Sequence, residues 1–132
     1  MSTRPVQLVA TLADLTAAAL PAARASAAAA DLVEFRLDRL PSLPLLDLLG
    51  ELAGRAIVTM RPVREGGEFT GDEAVRELHL REALGLGVAF VDVEWDAAFA
   101  DAMIARHPGR VVLSRHDFSG VPDEAREVRR DA

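Results

Sequence analysis

The stretch LVEFRLD, residues 32–38, decides the fold class because its apolar and charged side chains alternate. Successive side chains of a strand point to opposite faces. One face of this strand is therefore apolar, and the other carries Glu34, Arg36 and Asp38. A strand buried between two helical layers is apolar on both faces. A barrel strand has helices only outside, and its inner face can turn polar at the C-terminal mouth, where barrel active sites lie.

The rest of the chain repeats this pattern between helix-like segments. Further strands are predicted at 6–11, 56–61, 89–95 and 111–117, and helices near 14–29, 43–53, 72–86 and 96–107, with a fifth helix over 121–130. This alternation indicates an α/β fold. A complete (β/α)8 TIM barrel needs about 250 residues. The 132 residues therefore predict a single partial barrel domain, 1–132, with about the first five β/α units and incomplete at the C-terminus.

Composition excludes several classes of function. The net charge is −6 and no basic run occurs, which argues against nucleic-acid partners and anionic membranes. No apolar run approaches the ~18 residues that span a bilayer. The N-terminus does not resemble a signal peptide, so we expect a cytoplasmic protein. The chain has no cysteine, and its 15 basic residues are all arginine. It therefore supplies neither a thiol nor a lysine amine as a nucleophile.

Six polar residues share the inner face near the predicted strand ends: Thr11, Glu34, Arg36, Arg61, Asp92 and His116. Isolated buried charges are costly, so these groups must pair with one another or face a polar ligand. An internal salt-bridge network is the alternative for any single pair. The number of such groups on one face of five strands favours a binding or catalytic site.

The loop RPVREGGEFTGDE, residues 61–73, follows the third predicted strand. Its glycine pair, Gly66 and Gly67, permits a tight turn or a close approach to a ligand, although taken alone an ordinary connecting loop is the simpler interpretation. The loop lacks the spacing and the lysine of a phosphate-binding loop. Glu65 lies four residues after Arg61 and is expected to reach across the mouth toward His116.

The remaining histidines and a possible metal site carry less weight. His79 lies among charged residues of a predicted helix, and His107 lies at a predicted helix end, so both are interpreted as structural or surface residues. Asp92 and Glu94 together with His116 offer oxygen and nitrogen ligands, but their spacing matches no metal signature. We expect no metal site.

Four segments, in this order, resemble the N-terminal portion of type I 3-dehydroquinate dehydratases: VEFRLDRL (33–40), IVTMRPVREGGEFTGDE (57–73), VDVEWD (91–96) and VVLSRHDFSGVP (111–122). The resemblance implies a (β/α)8 barrel of the shikimate pathway, in aromatic amino acid biosynthesis. It implies dehydration of 3-dehydroquinate to 3-dehydroshikimate, with no metal and no dissociable cofactor. In this family a lysine forms a Schiff base with the substrate ketone, and a histidine removes a neighbouring proton and helps the hydroxyl leave.

The resemblance assigns the catalytic roles to three residues. His116 corresponds to the general base and acid, for which an imidazole suits because its pKa lies near neutral pH. Glu65 corresponds to the carboxylate that orients the histidine. Asp92 corresponds to a supporting acid nearby.

The resemblance also implies contacts with the substrate. Glu34 and Arg36 correspond to groups that hold substrate hydroxyls, and Arg61 to another polar substrate contact. Thr11 lies where the family has a small hydroxyl residue.

The family's Schiff-base lysine lies on the sixth barrel strand, and these residues contain none. We therefore expect a fragment that is inactive alone. One alternative is a non-catalytic half-barrel that assembles with itself, as a homodimer, or with a second polypeptide. Another is a different barrel lyase or an aldolase-like enzyme on the same scaffold.

Overall fold

The computed structural model describes residues 6–116 and the backbone of residues 126–130. Five parallel strands follow one another across the sheet in chain order: β1 (Val9–Leu12), β2 (Leu32–Arg36), β3 (Ala56–Thr59), β4 (Phe90–Glu94) and β5 (Val111–His116). Four helices connect them: α1 (Leu20–Ala27), α2 (Leu45–Leu49), α3 (Glu73–Gly85) and α4 (Ala100–Arg106). Short 3-10 turns occupy Leu37–Arg39, Gly50–Arg55 and Val63–Glu65. Parallel strands in chain order, each followed by a helix, are the arrangement of a (β/α)8 barrel.

The helices begin where the sequence supplies start signals. Asp72 precedes α3 with extended backbone angles, and Glu73 lies in the first turn, where a carboxylate favours the helix dipole. Pro21 lies in the first turn of α1, as predicted. Helix α4 begins at Ala100, four residues after the predicted start. The Asp96 carboxylate accepts a hydrogen bond of 2.7 Å from Arg64, and the chain around it forms turns before the helix.

The core lies between the helices and the apolar face of the sheet. The fully buried side chains of that face include Val33, Phe35, Val58, Val91 and Val93. The strand register places Phe35 opposite Val58, and Val58 opposite Val91, so these side chains form continuous rows across the sheet. The opposite face is therefore the one that carries the polar strand ends, as the alternation in the sequence predicts.

The C-terminal segment differs from the prediction. Residues Arg126–Arg130 form a strand, β6, that pairs antiparallel with β5, from Val112 opposite Arg130 to His116 opposite Arg126. The predicted helix is therefore wrong for residues 126–130, while residues 121–125 lie outside the described part. Val128 is the one apolar residue of this segment, so a helix here has little to bury. Pairing with β5 instead satisfies backbone groups along that strand's second edge.

Among the described residues, no helix has the length and apolar character needed to cross a membrane.

Candidate active site

Strand register brings polar side chains from neighbouring strands side by side. Thr11 lies opposite Glu34, and Thr59 lies opposite both Arg36 and Asp92. Side chains with the same parity on adjacent paired strands point to the same face. The predicted site residues of β1 to β4 therefore lie on one face of the sheet.

Glu34 is held by hydroxyl groups from the strands on both sides. Thr11 Oγ1 donates to Glu34 Oε1 at 2.9 Å, and Thr59 Oγ1 donates to Glu34 Oε2 at 2.7 Å. We call Thr11, Glu34 and Thr59 the hydroxyl cluster. Both oxygens of its carboxylate are thus oriented by neutral hydroxyl donors.

Arg36 is turned toward Asp38, a residue that sequence reasoning placed on the inner face but not in the site. Arg36 Nε and Nη2 donate to the two oxygens of Asp38 at 3.0 and 2.8 Å. The backbone N–H groups of Arg61 and Glu68 donate to the same carboxylate at 3.2 and 3.0 Å. Burial favours the neutral acid, but these hydrogen bonds outweigh it and hold the pKa of Asp38 below its ordinary value. Asp38 therefore ties β2 to the loop after β3.

Arg61 lies at the centre of a buried group of opposite charges. Its Nη1 donates to Asp92 Oδ1 and to Glu94 Oε2, each at 2.7 Å, and to Ser114 Oγ at 3.0 Å. Ser114 Oγ in turn donates to Asp92 Oδ1 at 2.6 Å. We call Arg61, Asp92, Glu94 and Ser114 the ion cluster. Burial lowers the pKa of Arg61, but the two carboxylates outweigh it and raise the pKa above its ordinary value.

The loop after β3 folds back onto the strand that it leaves. Gly66 has a φ of 85°, in the left-handed region that favours glycine. At Gly67 a Cβ atom would lie 2.1 Å from the backbone oxygen of Arg61, so only glycine fits against the strand. Phe69 N donates to that same oxygen at 3.1 Å and closes the loop. The glycine pair thus serves a close backbone approach, and the loop carries Glu65 toward β5.

Glu65 meets His116 at the end of β5. Glu65 Oε1 accepts a hydrogen bond of 3.0 Å from the backbone N–H of His116 and lies 3.6 Å from His116 Nδ1. Burial lowers the pKa of His116, and Arg61 lowers it further against the opposing effects of Asp92 and Glu65. The lowered pKa favours the neutral imidazole, which is the protonation state that a general base requires.

The structure thus places all seven predicted site residues along one end of the sheet, as three contacting groups: Thr11 with Glu34, Arg61 with Asp92, and Glu65 with His116, while Arg36 contacts Asp38. Sequence reasoning left Asp38, Thr59, Glu94 and Ser114 out of the site, although strand alternation predicts all four on the inner face. In the structure Asp38 lies in the 3-10 turn after β2. Within the described ranges no three potential ligands among His, Asp and Glu are grouped to hold a metal ion.

The parallel strands in chain order, with polar side chains gathered at one end, define this chain as part of a (β/α)8 barrel. The chain belongs to the type I 3-dehydroquinase family, whose profile matches residues 7–130. The family predicted from the four motifs is therefore confirmed. This match favours it over the alternative of a different lyase on the same scaffold.

Three relatives and one solved structure give the extent of the similarity. The chain is 35% identical to a 3-dehydroquinate dehydratase of Methanothrix thermoacetophila, over 84% of this chain and 49% of the relative. It is 40% identical to that of Thermococcus gammatolerans, over 70% of this chain and 45% of the relative. It is 37% identical to the chloroplastic bifunctional 3-dehydroquinate dehydratase/shikimate dehydrogenase of Arabidopsis thaliana, over 70% of this chain and 17% of the relative.

The structure of 3-dehydroquinate dehydratase from Enterococcus faecalis superimposes with a TM-score of 0.69 at 23% identity, covering 86% of this chain and 54% of that one. This likeness confirms the predicted barrel-type α/β fold. The chain spans about half the length of this structure and of the single-function relatives.

Proposed function

We propose that this chain carries the acid–base and hydroxyl-binding part of a site that dehydrates 3-dehydroquinate to 3-dehydroshikimate and water. The observation that carries the proposal is the placement of Glu65 against His116, beside Arg61 and Asp92. Membership of the family and the similarity to 3-dehydroquinate dehydratases support the choice of substrate.

In the proposed reaction His116 moves one proton twice. With the substrate ketone converted to an iminium, the neutral imidazole takes a proton from the adjacent carbon, and the C–H electron pair moves toward the iminium. The imidazolium then gives the proton to the hydroxyl, which leaves as water as the C–O bond breaks. Glu65 Oε1 lies 3.6 Å from Nδ1 and steadies the ring, so Nε2 is the atom that exchanges the proton. Asp92 supports the imidazolium by its negative charge.

The other predicted residues bind the substrate in this proposal. Glu34 accepts hydrogen bonds from substrate hydroxyls, in the orientation that Thr11 and Thr59 impose. Arg36 and Arg61 supply positive charge at the same strand ends.

The amine that forms the iminium must come from outside these residues, because the 132 residues contain no lysine. We therefore propose that the chain alone has no dehydratase activity, and that residues 1–132 form part of one barrel domain completed by further strands. The family profile and the coverage of the relatives support this view.

A chimera tests the proposal. Residues 1–116 of this chain would be joined to the corresponding later part of the Methanothrix thermoacetophila dehydratase, and turnover followed by the ultraviolet absorbance of the conjugated enone product. We expect turnover, and a covalent adduct after borohydride reduction, in the chimera but not in the 132-residue chain. A folded chimera that forms no adduct with 3-dehydroquinate, or substantial turnover by the 132-residue chain, would contradict the proposal.

A non-catalytic half-barrel that assembles with itself is the second candidate, favoured by apolar residues exposed at the start of β1 and just before it. Val6 is 86% exposed, Leu8 65% and Val9 48%. An open strand edge with apolar side chains is a template for association. Sedimentation velocity at low concentration distinguishes the candidates, because a stable dimer supports assembly and a well-folded monomer counts against it.

A further inference from the structure

Helix α3 contributes a fully buried arginine that the proposed reaction does not use. Arg76 has 0% exposure and is the largest fully buried side chain of the described residues. An arginine is rarely buried unless its charge is paired. The contacts of Arg76 therefore indicate its role.

The guanidinium of Arg76 joins the outer helix to the inner face of the sheet. Nε and Nη2 donate to the two oxygens of Glu73 at 2.7 and 2.9 Å, on the same helix. Nη1 donates to the backbone oxygen of Met60 at 3.2 Å and to Glu94 Oε1. The ring of Phe99 lies 5.0 Å from the guanidinium carbon, at the distance of a cation–π contact.

Glu94 links Arg76 to the rest of the ion cluster. Its Oε1 is held by Arg76, and its Oε2 accepts a hydrogen bond of 2.7 Å from Arg61. Arg61 Nη1 also holds Asp92 at 2.7 Å. Two arginines thus face two carboxylates in a region where all four side chains are at least 90% buried.

We propose that Arg76 is a positioning residue that fixes Glu94 from the helix side, so that Arg61 stays beside Asp92 at the end of the sheet where His116 lies. The inference rests on the proposed function, because it assigns Arg76 a part in arranging that acid–base site. Nothing in the geometry places Arg76 on the substrate.

Removing the Arg76 charge has a defined electrostatic consequence. Among the described residues, Glu94 would keep Arg61 as its arginine partner and draw it away from Asp92, and the buried group would lose one positive charge. Burial lowers the pKa of His116 most; of the charged groups, Arg61 lowers it further, whereas Asp92 and Glu65 raise it. Arg76→Gln is therefore expected to raise the pKa of His116, and Glu94→Gln to lower it.

The test is an NMR titration of His116 in the 132-residue chain, with the resonance assigned from a His116→Gln variant. We expect the His116 pKa to rise by about 0.5 or more in Arg76→Gln and to fall in Glu94→Gln. The double variant removes both charges and should return the pKa close to the wild-type value. Arg76→Lys keeps the charge and should change the pKa less than Arg76→Gln does.

Arg81→Gln is the matched control on the same helix. Arg81 pairs with Glu77 at 2.6 Å, and both side chains are about a third exposed, so its removal should leave the His116 pKa unchanged. If Arg76→Gln does not fold, the test rests on Glu94→Gln, which should lower the His116 pKa, and on the double variant, which should restore it. The proposal is overturned if the two single changes move the His116 pKa in the same direction or not at all. Because titration needs no turnover, this outcome is separate from failure of the proposed dehydratase activity.

Discussion

The two polar clusters on the inner face of the sheet are held by different means. The hydroxyl cluster orients Glu34 with two neutral donors, Thr11 and Thr59, and Glu34 itself is partly exposed. The ion cluster holds Arg61 between Asp92 and Glu94, all at most 6% exposed. A partly exposed carboxylate can still accept hydrogen bonds from a ligand. In a buried set of paired charges the polar groups are already hydrogen-bonded to one another, so fewer of them can bind a ligand. Under the proposed function, we therefore expect the hydroxyl cluster to make the closer contacts with the substrate, while Arg61 contributes charge from within a cluster that mainly supports the site.

The largest effect is expected from breaking the ion cluster. Arg61→Met leaves Asp92 and Glu94 buried with less compensation, so we expect the free energy of unfolding in urea to fall by about 3–5 kcal/mol. Arg64→Met is the control, because the Arg64 side chain is 41% exposed and its pair with Asp96 should contribute less than about 1 kcal/mol. Similar losses of stability in the two variants would show that the buried ion cluster stabilises the fold no more than an exposed ion pair does.

Asp38 ties β2 to the loop after β3, and its carboxylate should make the stability of the fold depend on pH. Its pKa is lower in the folded protein than its ordinary value, so its contribution is present above the unfolded pKa and is lost as pH falls through the folded pKa. We expect Asp38→Asn to cost about 1.5–3 kcal/mol at pH 7, because hydrogen bonds to a charged group are lost. In urea unfolding the difference from wild type should shrink steadily in acid. A difference independent of pH would contradict this account.

The close contact at Gly67 should tolerate no side chain. Gly67→Ala places a Cβ atom 2.1 Å from the Arg61 backbone oxygen, and the loop must move at a cost of about 1–3 kcal/mol. Gly54→Ala is the matched control, since nothing lies within 4 Å of its Cβ position. Thermal unfolding compares the two variants, and the chemical shift of the His116 amide reports whether Glu65 is displaced. A normal melting temperature and amide shift in Gly67→Ala would show that the loop is not fixed at this point.

The smallest effect on stability is expected in the hydroxyl cluster. Glu34→Gln keeps the shape and one of the two acceptor oxygens, and a threonine hydroxyl can turn to accept from the new amide N–H. The free energy of unfolding in urea should therefore change by about 0.5 kcal/mol or less. In the chimera the same change should raise KM for 3-dehydroquinate, because a charged acceptor for the substrate hydroxyls is lost. A large loss of stability with an unchanged KM would reverse the roles assigned to the clusters.

Strand alternation alone was enough to predict most of this end of the sheet. Period-two alternation placed Glu34, Arg61 and Asp92 on one face, and the register confirms that placement for Glu34 and Asp92. The same alternation included Asp38 and Glu94, which were not assigned to the site. Their importance arises from hydrogen bonds to a loop and a helix, and a strand pattern carries no information on such partners.

The sequence pattern could not predict two features of the structure, because both depend on tertiary contacts. Arg76 occupies an ordinary helix position, and only the packing of α3 against β3 and β4 shows that its charge is buried. A helix is predicted over 121–130, but residues 126–130 form β6, because the edge of β5 offers backbone partners and the segment has little apolar surface. Local propensity is a weak guide where tertiary pairing is available.

The most direct test of the central claim is His116→Ala in the chimera, followed by mass spectrometry after borohydride reduction in the presence of 3-dehydroquinate. The account predicts that the covalent adduct still forms while turnover falls by about 100-fold or more, because the proton shuttle is lost and the amine is retained. Unchanged turnover in a variant with normal adduct formation would show that His116 is not the acid–base group.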